Sequence, residues 1–340
     1  MKTRPNKIIA LSALLIILIA LPLVVNDPYY LHLIIMVGMN GVLAMTFVLM
    51  LRAGLMSLSI AAFWGIGAYA STLLVTRWGL SVWLALPAST AITALVAFLA
   101  GIVLLKNGGF AFVMLTALFG MVTVLVFGTF DVFGGHVGIV NIDPPETIKL
   151  PPLGSIEFIS KMPFYYLMLF LFIVVVAVFS AFYAASSGRA WRAIDLSPSL
   201  AESLGIDLFR YRLLAFVLGS GAAGLMGSFY AHYFGAVVPT TFDMFKTFNV
   251  QIYAILGGLG FAFLGPVVGT AVMTFVPEFL RITETVEPIF TGLLLMLLVM
   301  FLPDGLLTVL GFRARFLPGR ATIERMLSGM KAALEGNKRK

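Results

Sequence analysis

Long apolar runs decide what this chain can fold into. "IIALSALLIILIALPLVV", "LMLFLFIVVVAVFSAFY" and "LLLMLLVMF" contain no charged side chain. A helix of about 20 such residues crosses the ~30 Å hydrocarbon layer, and only helices or closed barrels satisfy every backbone group there. The runs are continuous and do not alternate with polar residues, which selects helices. The whole chain is 61% hydrophobic and 11% charged. A soluble domain carries about 45–50% apolar and about 25% charged residues, so these values describe an integral membrane protein.

Apolar segments fall at 8–25, 31–51, 58–76, 80–105, 110–130, 164–186, 211–234, 248–276 and 287–310. The net charge is +7, with most basic residues at span ends, where they set orientation. Lys2, Arg4 and Lys7 put the N-terminus in the cytoplasm, and the basic, apolar start without an A-x-A-like site reads as a retained first span. Alternation then puts Arg52 and Lys106 inside, with Arg77 outside as the one dissenter. Residues 133–163 become a periplasmic loop, and 187–210, with Arg189, Arg192 and Arg210, a cytoplasmic one, with Arg212 just past it on the same side.

The tail after Gly311 has eight basic and two acidic residues and should be cytoplasmic too. That requires 248–276 to enter and return. Gly257, Gly258, Gly260, Gly265 and Pro266 stand at its centre and break a helix. The expected fold is all-α and polytopic, with about eight full spans plus a broken or re-entrant helical pair and both termini cytoplasmic. A transmembrane domain over 1–310 precedes a basic tail over 311–340 that contacts anionic lipid or a partner.

Chemistry-bearing motifs are scarce. The sequence has no G-x-x-x-x-G-K-[ST] phosphate loop, no H-E-x-x-H and no G-x-S-x-G. Its cysteine count is zero, and its three histidines, His32, His136 and His232, lie far apart. His32 and His232 read as interfacial side chains near external span ends. No catalytic residue, metal ligand or bound cofactor is expected, and the basic residues at span ends do not read as a nucleic-acid surface.

Small residues and hydroxyls remain. "AGLMSLSIAAFWGIGAYAS" holds Ser57, Ser59, Gly65, Gly67 and Tyr69, and "GSGAAGLMGSFYA" holds Gly221, Gly224 and Gly227. Such residues either let helices pack closely or, with broken helices, line a solute path. The path reading takes in Ser57, Ser59, Gly65, Gly67, Tyr69, Thr116, Gly257, Gly258 and Gly260.

The charged stretch "SGRAWRAIDLSPSLAESLGIDLFRYR" poses a separate problem. Ser197 or Ser199 suits a helix N-cap, Pro198 the first turn, Ser199 and Glu202 a capping box, and Gly205 a stop. The resulting helix of about two turns puts Leu200 and Leu204 on one face. Alone it is too short to be stable, so it needs a surface to lie on.

From this segment outward the sequence resembles the branched-chain amino acid permeases of ATP-binding-cassette (ABC) importers, LivM type. "GRAWRAI", "AESLGIDLFRYRLLAFVLGSGAAGLMGSFYA", "GLMSLSIAAFWGIGAYA", "FAFVMLTALFG", "FGGHVGI", "ILGGLGFAFLGPVVG" and "FLPDGLL" carry the likeness. It implies a subunit of the inner membrane that works with a second permease, two ATPase subunits and a periplasmic solute-binding protein. Arg189, Arg192, Leu200, Ala201, Glu202, Leu204 and Gly205 match the family's ATPase-coupling loop. The implied solute is a branched-chain or other hydrophobic amino acid. The alternatives are urea or short amides, or an ATP-independent secondary transporter. Where the family reads G-Q-L-S-L-G-H-A, this chain has Leu55 and Ile60 for the Gln and the His, which predicts a less polar path.

Overall fold

The computed structural model describes residues 18–22, 27–106, 108–150, 154–279, 292–293, 296 and 305–309. Most of the expected first span, most of segment 287–310 and the whole basic tail lie outside the described residues. Within them the protein is an all-α bundle with two small β-ribbons that the apolar pattern did not announce.

Helix α1 (Pro28–Arg52) is the axis of the bundle. Asp27 caps it by accepting from the Tyr29 N–H at 2.9 Å, and Pro28 occupies its first turn. It is apolar on every side and mostly buried, as a helix surrounded by helices must be. The chain continues through α2 (Ile60–Thr76), α3 (Val82–Leu104), α4 (Phe110–Thr129) and α5 (Lys161–Ala184), and of these it is α5 that packs along α1. After α5 come the polar helices α6 (Ser186–Leu196) and α7 (Pro198–Ser203), then the long α8 (Leu208–Phe234). Five of these, α1, α3, α4, α5 and α8, are long and apolar enough to cross a membrane, while α2 is shorter and apolar.

Segment 248–276 is not one helix. It divides into α9 (Met244–Gly257) and α10 (Leu264–Phe279), joined by the non-helical residues 258–263. The two arms pack backbone to backbone. A methyl on Gly257 would strike the Gly265 carbonyl, and one on Gly269 the Tyr253 carbonyl. A last short helix, α11 (Leu306–Val309), follows Gly305, whose Cα stands directly against Gly258. The chain at 305 therefore lies at the same end of the bundle as the α9–α10 turn.

Contacts define two ends. At one, β1 (Ile139–Val140) pairs with β4 (Ala236–Val237), and a second ribbon joins β2 (Ile148–Leu150) to β3 (Gly154–Ile156). Ser81 donates to Glu146 at 2.8 Å and Arg77 to the Val132 carbonyl at 3.3 Å, stitching this loop region to α2 and α3. The starts of α1 and α5 meet the end of α8 here, through His32 with the Tyr233 hydroxyl at 2.6 Å and Lys161 with the same oxygen at 3.2 Å. The opposite end carries Arg52, Tyr183, α6, α7 and the 258–263 break.

His232 departs from the interfacial reading. It is only 3% exposed and joins three parts of the chain. One ring nitrogen meets the Asp143 carbonyl at 2.8 Å and the other the Ser71 hydroxyl at 2.9 Å, while Ser228 donates to Ser71 at 2.6 Å. Tight α2–α8 packing forces this polar group inward.

Candidate functional site

Two regions hold the residues singled out from the sequence: a polar projection at one end and a pair of irregular, buried backbone segments inside the bundle.

The projection begins with a sharp turn. Only Ala185 separates α5 from α6, and a methyl on Gly188 would collide with the Tyr183 backbone. Helix α6 is amphipathic, with Trp191 and Ile194 buried, Arg189 and Arg192 facing out, and Asp195 at the edge toward Arg52. Partial burial pushes the Asp195 carboxyl above its ordinary range, opposed by the nearby Arg52 charge. Trp191 anchors the helix by donating from Nε1 to the Tyr211 carbonyl at 2.8 Å.

Helix α7 forms where expected, but by a different cap. Ser197 accepts from the Leu200 N–H, and Ser199 contacts only the Ser197 hydroxyl at 3.3 Å, so the Ser199–Glu202 box does not form. The reason is register: with Pro198 at the first helical position, Ser197 is the N-cap and the third helical position falls on Leu200. At the other end Gly205 N–H bonds the Glu202 carbonyl at 2.9 Å and Ile206 N–H bonds Ala201 at 3.1 Å. That pairing needs a left-handed residue, and Gly205 supplies φ +81°. Ala201 is buried, whereas Glu202 faces solvent and Leu200 and Leu204 are 60% and 72% exposed.

Inside the bundle, the chain between α1 and α2 is irregular, and its polar groups are met by side chains from other helices. Ser57 and Ser59 share a hydrogen bond at 2.8 Å. The Leu58 N–H donates to Thr116 on α4 at 3.1 Å, and Thr116 in turn donates to the Val113 carbonyl. The Ala61 N–H donates to Thr247 at 3.1 Å, and Gln251 on α9 donates to the Ser57 carbonyl at 3.1 Å. Ser57, Ser59 and Thr116 therefore belong to one cluster, which Thr247 and Gln251 complete.

The remaining residues of the path reading lie apart from that cluster. Gly67 faces Gly224 on α8 so closely that a methyl would overlap the Gly224 backbone, and Gly65 abuts Phe242 and Phe127. Tyr69 reaches the Val237 carbonyl at 3.4 Å and lines an apolar cleft of about 510 Å³ with Ile66, Ile92 and Phe127. Gly257, Gly258 and Gly260 occupy the α9–α10 break. There Gly258 has φ +109° and the Gly260 carbonyl accepts from Arg52 at 3.2 Å.

Reading the sequence for hydroxyls and glycines missed Thr247, Gln251 and Arg52. Their signal was the ordinary one: a polar side chain in or at the end of an apolar run. Among the described residues no three metal-ligating side chains come together.

Comparison with known proteins adds sequence relationships to this geometry. The family model described as the permease component of branched-chain amino acid transport systems matches residues 29–302. The high-affinity branched-chain amino acid transport permease LivM of Salmonella typhimurium is 28% identical over 92% of this chain and 77% of its own length. LivM of Escherichia coli is 28% identical over 87% of this chain and 74% of its own. A probable LivH permease of Methanocaldococcus jannaschii is 26% identical over 57% of this chain and 62% of its own. No solved structure matches.

Proposed function

This chain belongs to the family of branched-chain amino acid transport system permease components, and we propose that it is the membrane-spanning permease subunit of an ABC importer in the inner membrane. The solute is a branched-chain or similarly hydrophobic amino acid, delivered by a periplasmic binding protein and driven by ATP hydrolysis on separate subunits. A second permease completes the translocation unit. In this reading the α6–α7 end faces the cytoplasm, the 133–163 loop faces the periplasm, and the nine apolar segments make about eight full crossings plus the α9–α10 hairpin.

One observation carries the assignment beyond the family name. Helix α7 has 6 residues, far below the length at which an isolated helix holds in water, yet it is built with a serine cap and a glycine stop. It presents Leu200 and Leu204, largely exposed, on a polar projection. A short, capped helix with two bare leucines is a plug for a groove on another protein, and Arg189, Arg192 and Glu202 supply polar rim contacts. Ser57, Ser59 and Thr116 fit a solute path inside the bundle, with the broken backbone at Gly257–Gly260 at its α6–α7 end and Gly65, Gly67 and Tyr69 holding its walls.

The test is assembly. Co-expressed with its ATPase, second permease and binding protein, the wild-type chain is expected to co-purify with the ATPase and to stimulate ATP hydrolysis when solute is present. Leu204→Glu should abolish co-purification while membrane insertion stays normal. An intact complex carrying Leu204→Glu would overturn the docking assignment.

A further inference from the structure

Arg52 ends a helix that holds no other lysine, arginine or carboxylate, and it is only 9% exposed. A charge in such a place is costly unless its donors are met, and where one persists in a membrane bundle it marks function. Its guanidinium donates to the carbonyls of Leu259 and Gly260 at 3.4 and 3.2 Å. These oxygens lie in the break just past the C-terminal end of α9, close to the negative pole of that helix, so a cation from α1 holds the break in place.

The same guanidinium lies over the Tyr183 ring, 5.4 Å from its centre. Tyr183 touches two further rings edge-on: Trp191 of α6 at 5.8 Å and Phe263 of the break at 5.7 Å. Beside them Arg212 of α8 donates to the Ala53 carbonyl at 3.3 Å, one residue past Arg52. Every step from α6 to the α9–α10 break is therefore a direct contact between packed groups. The hairpin beyond the break is stiffened by glycine-to-backbone packing at Gly257 and Gly269, so its arms move together.

We propose that Arg52 is a positioning residue that makes the α9–α10 hairpin follow α6, carrying displacement of the α6–α7 projection to the break beside the solute path. This rests on the reading that α6–α7 meets an ATPase. Arg52 touches neither nucleotide nor solute; it acts by holding Leu259, Gly260 and Tyr183 in one rigid knot. Lysine keeps the charge but cannot hold two carbonyls and a ring with one planar group.

The experiment is solute imported per ATP hydrolysed, measured on the assembled transporter in proteoliposomes. For Arg52→Met the expected result is hydrolysis within about twofold of wild type and import lower by about tenfold or more, a coupling loss of ordinary size. Arg52→Lys should recover part of the ratio. Import and hydrolysis falling in proportion, or neither changing, would overturn the proposal, because a residue that only stabilises the fold leaves the ratio untouched. Should Arg52→Met not assemble, the ratio is read on Tyr183→Leu, where a wild-type value overturns it equally. A wild-type chain that binds no ATPase refutes the functional reading and this proposal together. An assembled, fully coupled Arg52→Met refutes only this one.

Discussion

At Gly67 one hydrogen atom separates packing from collision. A methyl there would overlap the Gly224 backbone, and one on Gly227 would strike the Trp64 carbonyl, so α2 and α8 touch along their main chains. Such contact supplies association in a membrane, where no hydrophobic force separates helix from lipid. Gly67→Val is therefore expected to destabilise the purified protein by at least about 1–3 kcal/mol, read as a lower melting midpoint in detergent. Gly79, at φ +63° with open space around it, tolerates Ala better on packing grounds but not on backbone grounds, so it is not a clean control. The two glycine stripes were visible in the sequence, but their mutual pairing was not, because spacing alone does not say which helix a small face meets. Nor did the sequence reveal His232 as a buried link, since its partners Ser71 and Asp143 come from two distant stretches, and Ser228, one turn earlier on its own helix, reaches it only through Ser71.

Among the elements, α7 shows how far local rules reach. A capped helix ending at glycine was legible from Ser197, Pro198 and Gly205, yet two serines competed for the cap and the structure chose Ser197. Proline decided it, since its fixed φ places it inside the first turn and moves the cap to the preceding residue. Ser197→Ala should cost the helix about 1 kcal/mol, and Ser199→Ala much less. Hydrogen exchange of amides 200–204 checks this: faster exchange in Ser197→Ala alone is expected, and equal acceleration by both variants would contradict the assignment. The break in 248–276 was equally legible, because glycines and Pro266 cannot sustain one helix there. What the sequence left hidden was its support. The irregular backbone at 258–263 and 53–59 survives in the bundle because Arg52, Thr116, Thr247 and Gln251 reach it from elsewhere.

On the scale of the whole molecule, among the described residues apolar runs announced the long apolar helices within a few residues of their ends, while the polar helix α6 and the β-ribbons of the loop region left no such trace. Ribbons of 2 or 3 residues per strand are fixed by tertiary pairing, as between Ile139 and Val237, and not by a local pattern. The account as a whole depends on which way the bundle points: the α6–α7 end must meet ATP-driven machinery inside the cell. Because the chain has no cysteine, a single Glu202→Cys gives an unambiguous reporter. A membrane-impermeant maleimide should leave it unlabelled in intact cells, label it in inverted vesicles, and fail again there once the ATPase is bound. Labelling from outside intact cells would contradict the account.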